Sequence, residues 1–172
     1  MVVCAGGWLG ELFDLPVYAQ IEQVSYFAAL PETRPVLVDH GGPDGFLWYG
    51  LVTPGVGFKV GQDSARPGPF DASRPDRPVD DRVLADLLDH LPGMLPGLDP
   101  RPLRTESCLY TMSPDGDFIL DTVDGVVVVG GDSGHAFKFG PLLGRFAADL
   151  AQGRSLPEDC AMFRADRFAT RA

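Results

Sequence analysis

Lys59, Cys108, Tyr110, His135 and Lys138 are residue types that can do chemistry. His135 and Lys138 fall in Asp132-Ser133-Gly134-His135-Ala136-Phe137-Lys138-Phe139-Gly140, between a valine-rich and a leucine-rich run. That order predicts a buried strand, a Gly-rich turn and a helix whose first N–H groups lack intrahelical partners and carry partial positive charge. Such a helix start stabilises an anionic or electron-rich group. Gly130, Gly131 and Gly134 would let main chain approach that group, and His135 and Lys138 would add donors. The alternative is a surface turn whose charged side chains are merely solvated, and these residues alone leave both readings open.

Lys59 sits in Gly57-Phe58-Lys59-Val60-Gly61, where strand alternation puts Phe58 and Val60 on one face and Lys59 on the other. It reads either as an edge-strand guard against aggregation or as a cation aimed into a cavity where negative charge develops. Cys108 shares a strand face with Tyr110 and points opposite to Leu109. That face is either buried core or a wall carrying a thiol and a phenol. Three cysteines, odd in number and without a CxxC pair, argue against a disulfide framework and against a zinc site. Cys4 and Cys160 read as small buried hydrophobes.

The elements that must position these side chains follow from periodicity. Residues 1–5 predict a strand, Gly6-Gly7 a turn and residues 8–13 a short helix, so the chain opens in the middle of a strand-turn-helix motif. The strand edge at Val2 to Ala5 is expected to seek a partner. Residues 21–27, 36–38, 46–52 and 57–61 predict an antiparallel meander, cut by Gly41-Gly42-Pro43-Asp44-Gly45, with an exposed loop over 62–77. Val79, Val83, Leu84, Leu87, Leu88 and Leu91 predict an amphipathic helix from Pro78, with Asp80 and Asp81 at its positive end and Pro92 as its stop. Residues 104–112 and 118–121 read as strands around the turn 113–117, followed by the valine strand 126–129. A helix over 141–151 turns Leu142, Leu143, Phe146, Ala147 and Leu150 inward and stops at Gly153, before a polar turn and a short tail.

At 172 residues the chain is one domain of ordinary size or a large piece of a bigger one. An apolar fraction of 45% with eleven Phe is enough to fold. The net charge of −10 repels nucleic acid and anionic membrane surfaces. The first apolar run is too short for a signal sequence, and no stretch reaches transmembrane length, so a cytoplasmic, reducing compartment is expected.

Cys108-Leu109-Tyr110-Thr111-Met112-Ser113-Pro114-Asp115-Gly116-Asp117-Phe118-Ile119-Leu120-Asp121, the valine strand and Ser133-Gly134-His135-Ala136-Phe137-Lys138-Phe139 together resemble the C-terminal half of the FAD-dependent amine oxidases typified by monomeric sarcosine oxidase and N-methyltryptophan oxidase. Phe58-Lys59-Val60-Gly61 and Asp166-Arg167-Phe168 are similar as well, so the resemblance covers nearly the whole chain. It implies an α+β fragment of an α/β flavoenzyme: an antiparallel substrate-domain sheet with helices, plus the late strands and C-terminal helix of a Rossmann-type FAD-binding domain. Residues 1–15 would be the late part of that domain, 16–105 the substrate-side sheet and helix, and 106–172 its flavin-contacting C-terminal part.

Carried over by position, the resemblance makes Cys108 the cysteine joined covalently to FAD, and Lys59 the lysine that activates dioxygen. Tyr110, His135 and Lys138 match residues around the substrate amine and carboxylate, Tyr110 and His135 with catalytic roles, and Tyr49 the opposite wall of that cavity. Gly6, Trp8, Gly134, Phe137 and Lys138 would contact the cofactor. Two departures stand out. The family has a histidine four positions after the lysine, whereas here Val60-Gly61-Gln62-Asp63 follow; and no GxGxxG follows a strand. The expected function is therefore the C-terminal portion of an enzyme that oxidises a secondary amine or N-methyl amino acid with dioxygen. It would bind FAD poorly without an N-terminal half or a partner subunit. The alternative is a non-catalytic remnant or subunit that binds a small carboxylate, or a partner, through Lys138 and its helix start.

Overall fold

The computed structural model describes residues 1–28, 35–40 and 47–169, and the chain divides into two compact units. One comprises Ile21–Pro67 and Arg74–Cys108; the other Met1–Gln20, Gly68–Ser73 and Leu109–Ala172. The predicted turn Gly41 to Gly45, with Phe46, lies outside the described residues.

The first of these units is built on a five-stranded sheet. In chain order the strands are β2 (Tyr18–Phe27), β3 (Leu37–Asp39), β4 (Trp48–Thr53), β5 (Gly57–Gln62) and β6 (Pro102–Met112), in the spatial order β3-β4-β5-β2-β6. The β3-β4-β5 run is the expected antiparallel meander. β2 departs from it by inserting between β5 and β6. Its residues Ala19 to Phe27 are all buried, and a buried strand must pair the N–H and C=O groups along both edges, which takes a neighbour on each side.

Helix α2 (Asp81–Met94) covers this sheet through Leu87, Leu91 and Leu95, which join Phe27, Trp48, Phe58 and Val60 in one apolar cluster. Asp80 is its N-cap, with Oδ1 accepting the Arg82 N–H at 2.9 Å. Gln23 of β2 pins the same point: its Oε1 accepts the Asp80 N–H at 2.6 Å and its Nε2 donates to the Asp80 carbonyl at 3.0 Å. Pro92 does not stop the helix, which runs to Met94. Proline removes one ladder bond, but the last turn is closed by the Leu95 N–H on the Leu91 carbonyl at 2.8 Å, and both leucines are 1% exposed.

The other unit holds a three-stranded sheet, in which β1 (Val2–Val3) pairs parallel with β8 (Val126–Gly130) and β8 pairs antiparallel with β7 (Ile119–Val123). A short helix, α1 (Leu9–Leu12), follows β1. Helix α3 (Gly140–Ala151) packs Leu143, Phe146 and Ala147 against Phe118, Leu120, Val127 and Cys160. Leu142, expected inside, is 44% exposed, because it falls off the stripe formed by Leu143, Phe146 and Ala147. Helix α3 ends in a Schellman motif: Gly153 has φ +75°, its N–H reaches the Leu150 carbonyl at 2.9 Å, and the Arg154 N–H reaches that of Asp149 at 2.9 Å.

The tail folds into 3-10 turns at Glu158–Phe163 and Ala165–Phe168. Arg167 holds the tail to the turn before β7, with Nε 2.8 Å from Asp115 Oδ2 and Nη2 3.1 Å from the Asp117 carbonyl. Cys160 is core, as expected, whereas Cys4 is exposed and corrects the buried reading: it lies just past a two-residue strand at a sheet edge. The α+β architecture expected from the sequence is the one adopted. Among the described residues no helix is long and apolar enough to cross a membrane.

Candidate functional site

The candidate residues fall into two groups, one in each unit. In the five-stranded unit, Lys59 lies on β5, between β4 and β2. It is therefore not an edge-strand guard, which corrects that reading: sheet order depends on long-range pairing that strand alternation does not reveal. Phe58 and Val60 are buried and Lys59 is half-buried on the other face. Its Nζ is 5.8 Å from the centroid of the Tyr49 ring, within range of a cation–π attraction. Tyr49 stands opposite Gly61 in the β4/β5 register, and a Cβ on Gly61 would come within 2.8 Å of the Tyr49 hydroxyl. Gly61 thus makes room for Tyr49, and the structure brings Tyr49 and Lys59 together. Cys108 is half-buried on β6.

Two polar clusters in this unit went unread in the sequence. His90 stacks on Trp48, centroids 4.6 Å apart, with Nε2 3.1 Å from Asp39 Oδ2. The Tyr26 hydroxyl donates to Glu106 at 2.7 Å, and that bond, with burial, raises its pKa above the usual phenol value.

In the other unit, Tyr110 lies on β6 and faces the turn that carries Gly134 and His135. Gly134 has φ +81°, and a Cβ there would overlap the Tyr110 ring. The remaining glycines of the motif are also filled by protein. A Cβ on Gly130 would strike the buried Leu9 side chain, and one on Gly131 would press on Ser113 and Ile119 at 3.3 Å. At each of these glycines the space a side chain would take is thus filled by neighbouring protein.

His135 packs on the Phe118 ring at 5.0 Å, and its Nδ1 lies 3.1 Å from the Ser133 carbonyl. A carbonyl only accepts, so this contact puts the proton on Nδ1 and leaves Nε2 as the acceptor of the neutral ring. Lys138 extends along Phe139, Nζ 5.5 Å from its centroid, while the Phe137 side chain is fully exposed. Gly6 has φ +53° and Trp8 is 40% exposed.

Helix α3 begins with no side-chain cap and no acidic residue in its first turn, and a 3-10 turn, Phe137–Phe139, leads into it with the Gly140 N–H on the Phe137 carbonyl. Beside it opens a groove of about 860 Å³ lined by Cys4, Val129, Pro141, Leu143 and Ala147, with Asp132 and Lys138 as its charged residues. The apolar wall suits an aromatic ring system, and the uncapped helix start suits that ring's electron-rich edge. Among the described residues no cluster of His, Cys, Asp or Glu could hold a metal.

Sequence reading also missed Asp132 and Ser133, whose bonds tie the motif's turn to β6. Asp132 Oδ1 accepts the Thr111 N–H at 2.9 Å, the Ser133 N–H donates to the Thr111 carbonyl at 3.0 Å, and Ser133 Oγ accepts the Ser113 N–H at 3.3 Å. The available signal was an Asp-Ser pair ahead of a glycine, a pattern that turns use for such bonds.

Comparison with known proteins agrees with this architecture. N-methyl-L-tryptophan oxidase of Yersinia pestis strain Pestoides F is 36% identical over 98% of this chain. NikD, an unusual amino acid oxidase essential for nikkomycin biosynthesis, superposes with a TM-score of 0.78 at 28% identity, over 95% of this chain and 47% of its own. Glycine oxidase from Geobacillus kaustophilus shares the fold at TM-score 0.78 and 22% identity, over 99% of this chain and 45% of its own. The chain spans about half the length of these relatives, 47% for the Yersinia protein. Since the FAD dependent oxidoreductase profile matches residues 1–150, this chain belongs to that family.

Proposed function

We propose that this chain is the C-terminal, flavin- and substrate-facing portion of an amine oxidase that acts on a secondary amine or N-methyl amino acid with dioxygen as acceptor. The observation that carries this reading is Lys59: an ammonium on a central strand, beside the Tyr49 ring, has no edge to guard. A fixed cation there would offset the negative charge that develops as dioxygen is reduced. The residues also fit the implied cofactor, through the uncapped start of α3 and the apolar groove next to it.

When bound, FAD would supply the two-electron acceptor for amine oxidation. Cys108 would tether it, with Gly6, Trp8, Gly134, Phe137 and Lys138 along its contact surface. Lys138 would pair with a substrate carboxylate and so orient the amine-bearing carbon. Tyr110 and His135 would hold the amine, Nε2 of His135 serving as acceptor, and Tyr49 would also contact the substrate. In this reading residues 1–15 and 106–172 complete the FAD-binding domain and 16–105 form the substrate side. The diphosphate cradle comes from a nucleotide-binding half, carried on the same longer chain or on a partner subunit. The lack of a GxGxxG in these residues favours a second reading, a module that binds a small carboxylate or a partner through Lys138 without redox chemistry.

The test is co-expression with a nucleotide-binding half. Yellow colour that survives acid precipitation, and that disappears in Cys108→Ser, is expected. No flavin uptake in that complex would leave only the second reading.

A further inference from the structure

Thr111 is 2% exposed, and a buried peptide group needs partners for both its N–H and its C=O. Both come from the motif's turn. Asp132 Oδ1 accepts the Thr111 N–H at 2.9 Å, and the Thr111 carbonyl accepts the Ser133 N–H at 3.0 Å. One side chain and one peptide group thus imitate the strand that would otherwise lie beside this end of β6. The same turn holds Ser133 at φ +44° and Gly134 at φ +81°, left-handed conformations that are unfavourable for serine unless the surroundings hold them. Gly134 meets the Tyr110 ring, one residue before Thr111, and the Ser133 carbonyl fixes His135 through Nδ1.

We propose that Asp132 is a positioning residue: by holding the Thr111 N–H it sets the Tyr110 ring and the Gly134–His135 turn in a fixed relation. The functional weight of this rests on the reading that Tyr110 and His135 face the substrate. The geometry itself does not. Only an oxygen acceptor is required of residue 132, not a charge, so Asp132→Asn preserves the arrangement and Asp132→Ala removes it.

The test uses the purified chain labelled with 3-fluorotyrosine, whose four tyrosines give separate fluorine resonances, that of Tyr110 being assigned by its loss in Tyr110→Phe. In Asp132→Ala the Tyr110 resonance is expected to move toward its unfolded position while those of Tyr18, Tyr26 and Tyr49 stay. The Thr111 amide should exchange about tenfold faster or more, and Asp132→Asn should restore both to near the parent. Should Asp132→Ala not fold, Asp132→Glu replaces it, since one added methylene displaces the acceptor and should likewise shift Tyr110. A Tyr110 resonance unmoved in the Ala or Glu variant, or an Asn variant that shifts it as far as they do, overturns the proposal. No flavin enters the measurement, so a co-expressed complex that takes up no flavin would count against the oxidase reading alone, and an unmoved Tyr110 against the positioning role alone.

Discussion

Lys59 shows how much one residue's meaning depends on its neighbours in space. Its type and flanking glycines were legible in the sequence, but its place on a central strand was not, because sheet order is set by pairing between distant segments. With a flavinylated complex in hand, Lys59→Met is expected to slow reoxidation by dioxygen far more than anaerobic reduction by amine, as stopped-flow would read. Equal slowing of the two would remove its assigned role. Gly134 carries the other residue-scale prediction. Gly134→Ala adds a methyl at φ +81° into the Tyr110 ring and should cost about 1–3 kcal/mol, seen as a lower midpoint in urea. Cys160 was readable as core from its type alone. Cys4 was not, since its exposure follows from β1 being two residues long at a sheet edge.

At the scale of elements, helix α2 was legible from its leucine stripe and its end was not. Proline's local veto on Pro92 yields to the burial of Leu91 and Leu95, which no local rule weighs. The start of the helix was marked by Asp80, yet the buried amide of Gln23 that holds the Asp80 peptide had no local signature at a separation of 57 residues. Asp80→Ala is expected to destabilise the chain by about 1 kcal/mol, checked by chemical denaturation. The 3-10 turns of the tail escaped notice because their strongest anchor, Arg167 on Asp115, is again long-range. That pair makes a pH prediction. Arg167 lowers the Asp115 pKa from 3.8 to about 2, so the folded state favours the carboxylate. The resulting stability is complete above about pH 4 and is lost as pH falls toward 2. Because Asp115 is 38% exposed, solvent screening limits the contribution to about 1 kcal/mol or less. Arg167→Ala should flatten this part of the stability–pH curve, and an unchanged slope between pH 4 and pH 2 would show that the pair contributes nothing.

For the molecule as a whole, the family could be read from the chain because Cys108 to Asp121 and Ser133 to Phe139 keep the order and spacing of the family's motifs. What could not be read is that Asp132 holds the Thr111 N–H and that protein fills the space beside Gly130, Gly131 and Gly134. With 24 acidic against 14 basic residues and a sequence pI near 4.5, solubility should pass through a minimum near that pH, which light scattering across a titration would show. The placement of two thiols in one unit adds a clock to this picture. Cys4 is exposed and Cys160 is 8% exposed in the cluster under α3. A thiol reagent should therefore modify Cys4 at once and Cys160 only when that cluster opens. The delay between the two modifications would time how often the packing beneath α3 comes apart, with no cofactor, substrate or partner present.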